Sequence, residues 1–159
     1  MDPRQHDIER ELGPQLSGEV RTDAIALALF SMAACIFRQR PAAVVSPRTA
    51  GDVARTVAWA AERGVPVTPR GGGSSLSGAA VGPGLILDFS SHMNRILAVD
   101  PERRLVRVEP GAIHTRVQRA VAPYGLKIGP EVPGCLTTTT LPRRGQRRSM
   151  GSRRSQSPG

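Results

Sequence analysis

The stretch that most limits what this chain can fold into is Pro69-Arg70-Gly71-Gly72-Gly73-Ser74-Ser75-Leu76-Ser77-Gly78. Consecutive glycines reach backbone angles closed to other residues and leave their N–H groups unshielded by side chains, so such a loop can form a concave cradle for an anion. A phosphate or pyrophosphate is the natural guest. Val65-Pro66-Val67-Thr68 reads as a short strand just before it, which places the loop at the end of a buried strand, where α/β folds collect ligands. The same residues suit a solvated surface turn equally well, because glycine-rich turns are common.

The familiar phosphate loops fit badly. A Walker loop ends in Gly-Lys-Ser/Thr, with the lysine reaching the outer phosphates, and this loop has no lysine, which argues against nucleoside triphosphate hydrolysis. The dinucleotide fingerprint needs a glycine at its sixth position and a helix directly afterwards. Here that position, counted from Gly71, is Leu76, and Ala79-Ala80-Val81-Gly82-Pro83-Gly84 breaks any helix, so a Rossmann site is disfavoured.

With 159 residues, 39% of them hydrophobic, the chain has room for one domain, or part of one, with a real core. Its net charge of +9 suggests a nucleic-acid partner until the charge is located. Six arginines and no acids follow Leu136, and 16 basic against 13 acidic residues remain before it. The basicity belongs to the tail. Cys35 and Cys135 lie far apart without metal-type spacing, so we expect a reduced, cytoplasmic chain with neither a disulfide framework nor a metal site. The N-terminus lacks the apolar run of a signal peptide, and the apolar stretch at residues 24–37 is shorter than the roughly 20 residues that span a bilayer.

Along the chain, residues 1–16 read as a short helix or frayed arm, and the alanine and leucine content of residues 17–37 predicts a helix. Residues 42–46 read as a buried strand closed by Pro47. Thr49 is a good N-cap, with Asp52 completing a capping box. Val53, Val57, Ala60 and Ala61 then share one face of a helix over residues 50–63 that Gly64 ends. Strand, helix and the following strand form a crossover with parallel strands, delivering the glycine loop at a carboxyl end. Trp59 is read as packing rather than as a stacking platform.

Residues 84–89 form a fully buried strand, with Asp88 tying its end or the loop rather than acting as a base. Residues 95–100 and 104–109 make a hairpin, with Val106 and Val108 on one face and Arg107 and Glu109 on the other. Ile113, Val117, Val121 and Tyr124 line a second helix ending near Gly125. His114 is read as a solvated first-turn residue, and His92 carries no function. Periodicity stops in the turn-rich residues 127–134.

Taken together, Arg40-Pro41-Ala42-Ala43-Val44-Val45, the run from Gly64 through the glycine loop to Gly78, Asp88-Phe89-Ser90, Met93-Asn94-Arg95-Ile96 and Val108-Glu109-Pro110-Gly111 resemble the first half of an FAD-binding domain of the vanillyl-alcohol oxidase and p-cresol methylhydroxylase (PCMH) type. The likeness covers about residues 16–130 and is strongest to FAD-linked glycolate oxidase and D-lactate dehydrogenase subunits. It implies an α+β fold: a first FAD-binding subdomain with a parallel βαβ core, hairpin and flanking helices, the second subdomain and substrate domain being absent. The domain organisation expected is a helical arm at residues 1–40, a partial FAD-binding domain at 41–134, and a basic tail at 135–159.

The resemblance further implies that main-chain amides of residues 71–75 hold the FAD pyrophosphate, with Pro69, Arg70, Leu76, Ser77 and Gly78 completing the loop. Relatives that bind flavin covalently use a histidine in or near this loop. Ser74 follows the glycines here, so the expected FAD is non-covalent. The family carries Ser-Thr-Asp-Ala-Ser ahead of an aromatic residue and arginine, whereas this chain reads Ser31-Met32-Ala33-Ala34-Cys35-Ile36-Phe37-Arg38.

Beyond Pro130 the family continues with a second glycine-rich FAD segment, and this chain has Thr137 to Thr140 and an Arg, Ser, Gly and Pro-rich end instead. A shifted reading frame is the expected origin of the change: with codons chosen for the purpose, Arg143-Arg144-Gly145-Gln146-Arg147-Arg148 can be written CGG CGG GGG CAA CGA CGC, which reads Gly-Gly-Gly-Asn-Asp-Ala one base on. The expected function is therefore the FAD-binding portion of an oxidoreductase acting on 2-hydroxy acids, inactive alone, with its catalytic residues elsewhere and the remaining oxidase subunits or downstream chain as partners. The rival from another class is a nucleic-acid or polyanion binder using Arg143, Arg144, Arg147, Arg148, Arg153 and Arg154, which have no aromatic residue among them to stack on bases. An inactive scaffold remnant is the third reading.

Overall fold

A computed structural model describes residues 3–129. Its helix α3 (Ala50–Glu62) starts where the sequence puts a reciprocal cap: Thr49 Oγ1 accepts the Asp52 N–H at 3.1 Å, and Asp52 Oδ2 accepts the Thr49 N–H at 3.2 Å. Each orphan donor of the first turn that is satisfied this way favours helix over coil. At the other end the Val65 N–H turns back onto the Ala60 carbonyl at 2.9 Å. The chain thus enters from strand β2 (Ala43–Ser46) and leaves into β3 (Val67–Arg70).

These two strands are parallel but not neighbours. Strand β4 (Leu85–Asp88) lies between them, parallel to both, with Val44 opposite Ile86 and Thr68 opposite Ile86 on its other side. All four residues of β2 and of β4 are buried, because the sheet is covered on both faces. On one face Ala43, Val45, Leu85 and Leu87 meet Trp59 and Ala60 of α3, together with Ile8 and Leu12 of helix α1 (Pro3–Leu12). On the other, Val44 and Ile86 meet Ala26 and Leu27 of helix α2 (Ala24–Phe30).

The helix expected over residues 17–37 is corrected. Glu19–Arg21 forms strand β1, antiparallel to β2 at the sheet edge, and α2 spans only seven residues. Asp23 decides the boundary, since its carboxylate caps the Ala26 N–H at 2.9 Å and so starts a new helix there. Residues 31–38 form a loop closed by a bridge between Met32 and Arg38.

The buried face of α3 is also rotated from the expected one. Asp52, Thr56, Trp59 and Ala60 are buried, whereas Val57 is 45% exposed and Ala61 lies in solvent. Burying Thr56 costs little because its hydroxyl donates to the Asp52 carbonyl at 2.8 Å. Trp59 packs as expected, its Nε1 on Glu11 at 3.2 Å and Arg63 over its ring at 4.5 Å.

Strands β5 (Ile96–Asp100) and β6 (Leu105–Val108) form the hairpin, followed by helix α4 (His114–Val121), whose Val117 and Val121 are buried. Three side chains depart from expectation. Tyr124 is 54% exposed; Glu109 is buried, clamped by Arg95 Nη2 at 2.7 Å and by the Arg95 N–H at 2.8 Å; and His114 is 6% exposed rather than solvated. Neither His114 ring nitrogen has a hydrogen-bond partner among the described residues.

Gly111 donates its N–H to the Met93 carbonyl at 2.8 Å, and a Cβ there would overlap the Phe89 carbonyl. Gly111→Ala is therefore expected to cost about 1–3 kcal/mol, since backbone cannot yield as a flexible side chain can. The urea midpoint reads this; a midpoint equal to wild type would refute the close approach.

Candidate anion cradle at the end of strand β3

Because β3 and β4 are parallel, Arg70 and Asp88 end them on the same edge of the sheet. Residues 71–84 must return from that edge to the start of β4. The second half does so past β3, with Gly82 against the Thr68 side chain and Gly84 against Pro66. The first half stays at the carboxyl edge, where strand ends leave room for a ligand.

Of the three consecutive glycines, Gly73 has the positive φ, at 68°, and Gly78 has a second at 80°. These left-handed residues redirect the chain so that Gly71 and Gly73 are buried while Gly72, Leu76 and Ser77 face solvent. The Ser75 hydroxyl accepts the Ala79 N–H at 3.3 Å and lies 3.3 Å from the Ser77 hydroxyl, closing the loop. No described residue accepts a hydrogen bond from the N–H of Gly71 or Ser74. Main-chain donors left open at a turn of this kind suit an anion's oxygens.

The loop rests on residues 30–38. Ala34 donates its N–H to the Gly73 carbonyl at 2.9 Å, and the Phe37 ring stands 2.7 Å from where a Gly78 Cβ would lie. The segment that departs from the family's polar pattern thus supports the loop by main chain and by one ring. Below it, Arg70 Nη1 donates to the carbonyls of Phe30, Met32 and Ala80 at 3.3, 2.8 and 3.2 Å. Sequence reasoning placed Arg70 in the loop but had no means of finding these partners, which are 40, 38 and 10 residues away.

Asp88 plays the tethering part expected of it. Its Oδ1 accepts the Ser90 N–H at 3.0 Å and hydroxyl at 2.6 Å, and its Oδ2 the Ser91 hydroxyl at 2.8 Å. A cleft of about 530 Å³ lined by Trp59, Arg63, Pro66 and Gly84 lies before the starts of β3 and β4, at the opposite edge from the loop, so it is not the cradle. His92 Nε2 lies 3.7 Å from Glu19 Oε1. Cys135 and the six tail arginines lie outside the described residues. No helix among the described residues is long and apolar enough to cross a membrane.

The profile of the FAD binding domain family matches residues 41–142. D-2-hydroxyglutarate dehydrogenase of Escherichia coli (strain K12) is 41% identical over 100 residues, which are 61% of this chain and 10% of that protein. Glycolate oxidase subunit GlcD of Bacillus subtilis (strain 168) is 36% identical over 107 residues, 66% of this chain and 22% of that one. Substrate-bound p-cresol methylhydroxylase shares the fold, with a TM-score of 0.71 at 19% identity over 86% of this chain and 28% of its own. The chain thus spans between a tenth and a quarter of the length of these curated relatives. By its profile and its identities it belongs to the FAD binding domain family, and it shares its α+β architecture with p-cresol methylhydroxylase.

Proposed function

We propose that this chain supplies the pyrophosphate-holding part of an FAD-dependent oxidoreductase acting on a 2-hydroxy acid, with the flavin bound non-covalently. The observation that carries this reading is the loop of residues 71–78 at the carboxyl edge of β3, left-handed at Gly73 and with the amides of Gly71 and Ser74 open among the described residues. Those amides, with Gly72, Gly73 and Ser75 beside them, would hold the pyrophosphate oxygens; Leu76, Ser77 and Gly78 shape the loop, and Pro69 belongs to the strand that leads into it. Residues 41–134 then form the partial FAD-binding unit. The substrate class follows the two relatives, a D-2-hydroxyglutarate dehydrogenase and a glycolate oxidase subunit.

When bound, FAD supplies the two-electron acceptor for oxidation of the hydroxyl-bearing carbon. This chain's contribution is binding and orientation. Its loop replaces water around a charged group with fixed main-chain donors, which need not reorganise when the ligand arrives. Asp88 is occupied by Ser90 and Ser91, and no described side chain is assigned to proton transfer.

The test is a titration of the full chain with FAD and, separately, with riboflavin, followed by flavin fluorescence. Saturable binding of FAD at least about tenfold tighter than riboflavin is expected, because riboflavin lacks the charged group and tenfold is about 1.4 kcal/mol. Equal affinities, or no FAD binding by a chain folded by circular dichroism, would overturn the reading.

A further inference from the structure

Arg70 is the last residue of β3, directly before the glycines. Its guanidinium turns back under the loop, half-buried, with Nη1 on three carbonyls from three places. Phe30 ends α2, Met32 lies in the loop that follows, and Ala80 stands on the far side of the glycine loop. The guanidinium also lies over the Phe30 ring, 4.9 Å from its centroid, and its Nη2 is 2.8 Å from where a Gly73 Cβ would be. One side chain therefore connects both ends of the loop, the end of a helix, and the residue whose left-handed turn shapes the loop.

The charge is unusual in its compensation. Among the described residues Arg70 makes no ion pair, and the Asp88 carboxylate, which acts on it from a distance, is taken by its own two serines. Burial lowers the guanidinium's pKa, with the Asp88 charge opposing that effect. A half-buried cation answered by carbonyl dipoles favours a nearby anion.

We propose that Arg70 is a positioning residue for the cofactor: it braces the glycine loop in its anion-receiving shape and supplies a positive field beneath it, rather than touching the ligand itself. This rests on the FAD reading above. The planar fork is what the site uses. A lysine would keep the charge but lose the flat face between the Phe30 ring and Gly73 and the fixed spread of donors.

The experiment uses the full chain as wild type, R70K and R70M, at a temperature where circular dichroism shows each folded. Amide hydrogen exchange without ligand is the first readout. In R70M, exchange at Ala34 and Ala79, whose N–H groups bond Gly73 and Ser75, is expected to quicken at least about tenfold, while Val45 and Ile86 in the sheet keep their wild-type rates. The second readout is affinity: FAD is expected to weaken at least about tenfold in R70M and less in R70K, with riboflavin unchanged, so the preference between them shrinks.

Unchanged exchange at Ala34 and Ala79, or quickening shared equally by the sheet, overturns the brace. Local quickening with undiminished FAD preference overturns its bearing on the cofactor. If R70M does not fold, R70K carries both readouts and the same criteria. If the wild type itself binds no FAD, the proposed function falls, the role toward the cofactor falls with it, and the exchange rates still decide whether Arg70 braces the loop.

Discussion

Changing Gly73 to valine is expected to weaken FAD binding at least about a hundredfold, the equivalent of about 2.7 kcal/mol, and to leave the sheet folded. Two costs combine. Gly73 sits at φ 68°, where a β-branched residue is a true outlier, and its Cβ would stand 2.8 Å from Arg70 Nη2 and 3.1 Å from Cζ. The chain can escape either by flipping the turn, which removes the donors from the cradle, or by displacing Arg70, which releases the carbonyls of Phe30, Met32 and Ala80. Both lose the ligand. Gly13→Ala, where a Cβ meets nothing within 4 Å, serves as the control. Flavin fluorescence titration of both variants reads the effect, and a folded G73V chain with wild-type affinity would remove the loop from the site.

The second large effect concerns stability. Asp52 is 1% exposed, and its carboxylate gathers two distant segments: Oδ1 takes the Ser17 N–H at 3.1 Å, while Oδ2 takes the Ser17 hydroxyl at 2.7 Å and the N–H groups of Arg48 and Thr49 at 2.9 and 3.2 Å. Asp52→Ala strands those donors together. We expect a loss of about 3–4 kcal/mol and a fall in Tm of roughly 10 °C, as for other buried networks broken at their hub. Thr49→Ala, which removes one cap acceptor, should cost only about 1 kcal/mol. A D52A chain melting within two or three degrees of wild type, about 1 kcal/mol or less, would show that Ser17 and the start of α3 are not held by this carboxylate.

Asp52 also sets an acid limit. Burial by itself would raise its pKa, but the hydrogen bonds from the Ser17 hydroxyl, the Arg48 N–H, the Ser17 N–H and the Thr49 N–H outweigh it and hold the group at about 2, below its ordinary 3.8. A depressed folded-state pKa means the carboxylate stabilises the fold above the ordinary value, and that contribution disappears as pH falls from about 4 through about 2. The amount is on the order of 2 kcal/mol. In Asp52→Asn the urea midpoint should change less between pH 4 and pH 2 than in the wild type. Parallel acid limbs would refute the assignment.

Local chemistry was enough to read part of this protein from its residues. The Thr49 and Asp52 capping box, the continuous apolar runs of β2 and β4 and the hairpin of β5 and β6 each depend on residues a few positions apart, so their sequence patterns coincide with their structure. The glycine loop was legible for the same reason. Glycine is the residue that takes the left-handed angle of Gly73 without strain, and a strand ends just before it.

Long-range packing decided the rest. Glu19–Arg21 is a strand because β2 offers it an open edge, not because three residues carry a period. Helix α3 turns Thr56 and Trp59 inward because a hydroxyl can be satisfied by its own helix and a large ring fills more space than Val57. Strand β4 enters between β2 and β3 although both precede it in the chain. His114 is buried by neighbours that its own helix does not specify. The sequence by itself determined a βαβ unit that ends in a glycine-rich turn. Only the tertiary structure decided that Arg70 would lie beneath that turn, because the carbonyls that hold it there come from segments that meet only once the sheet is assembled.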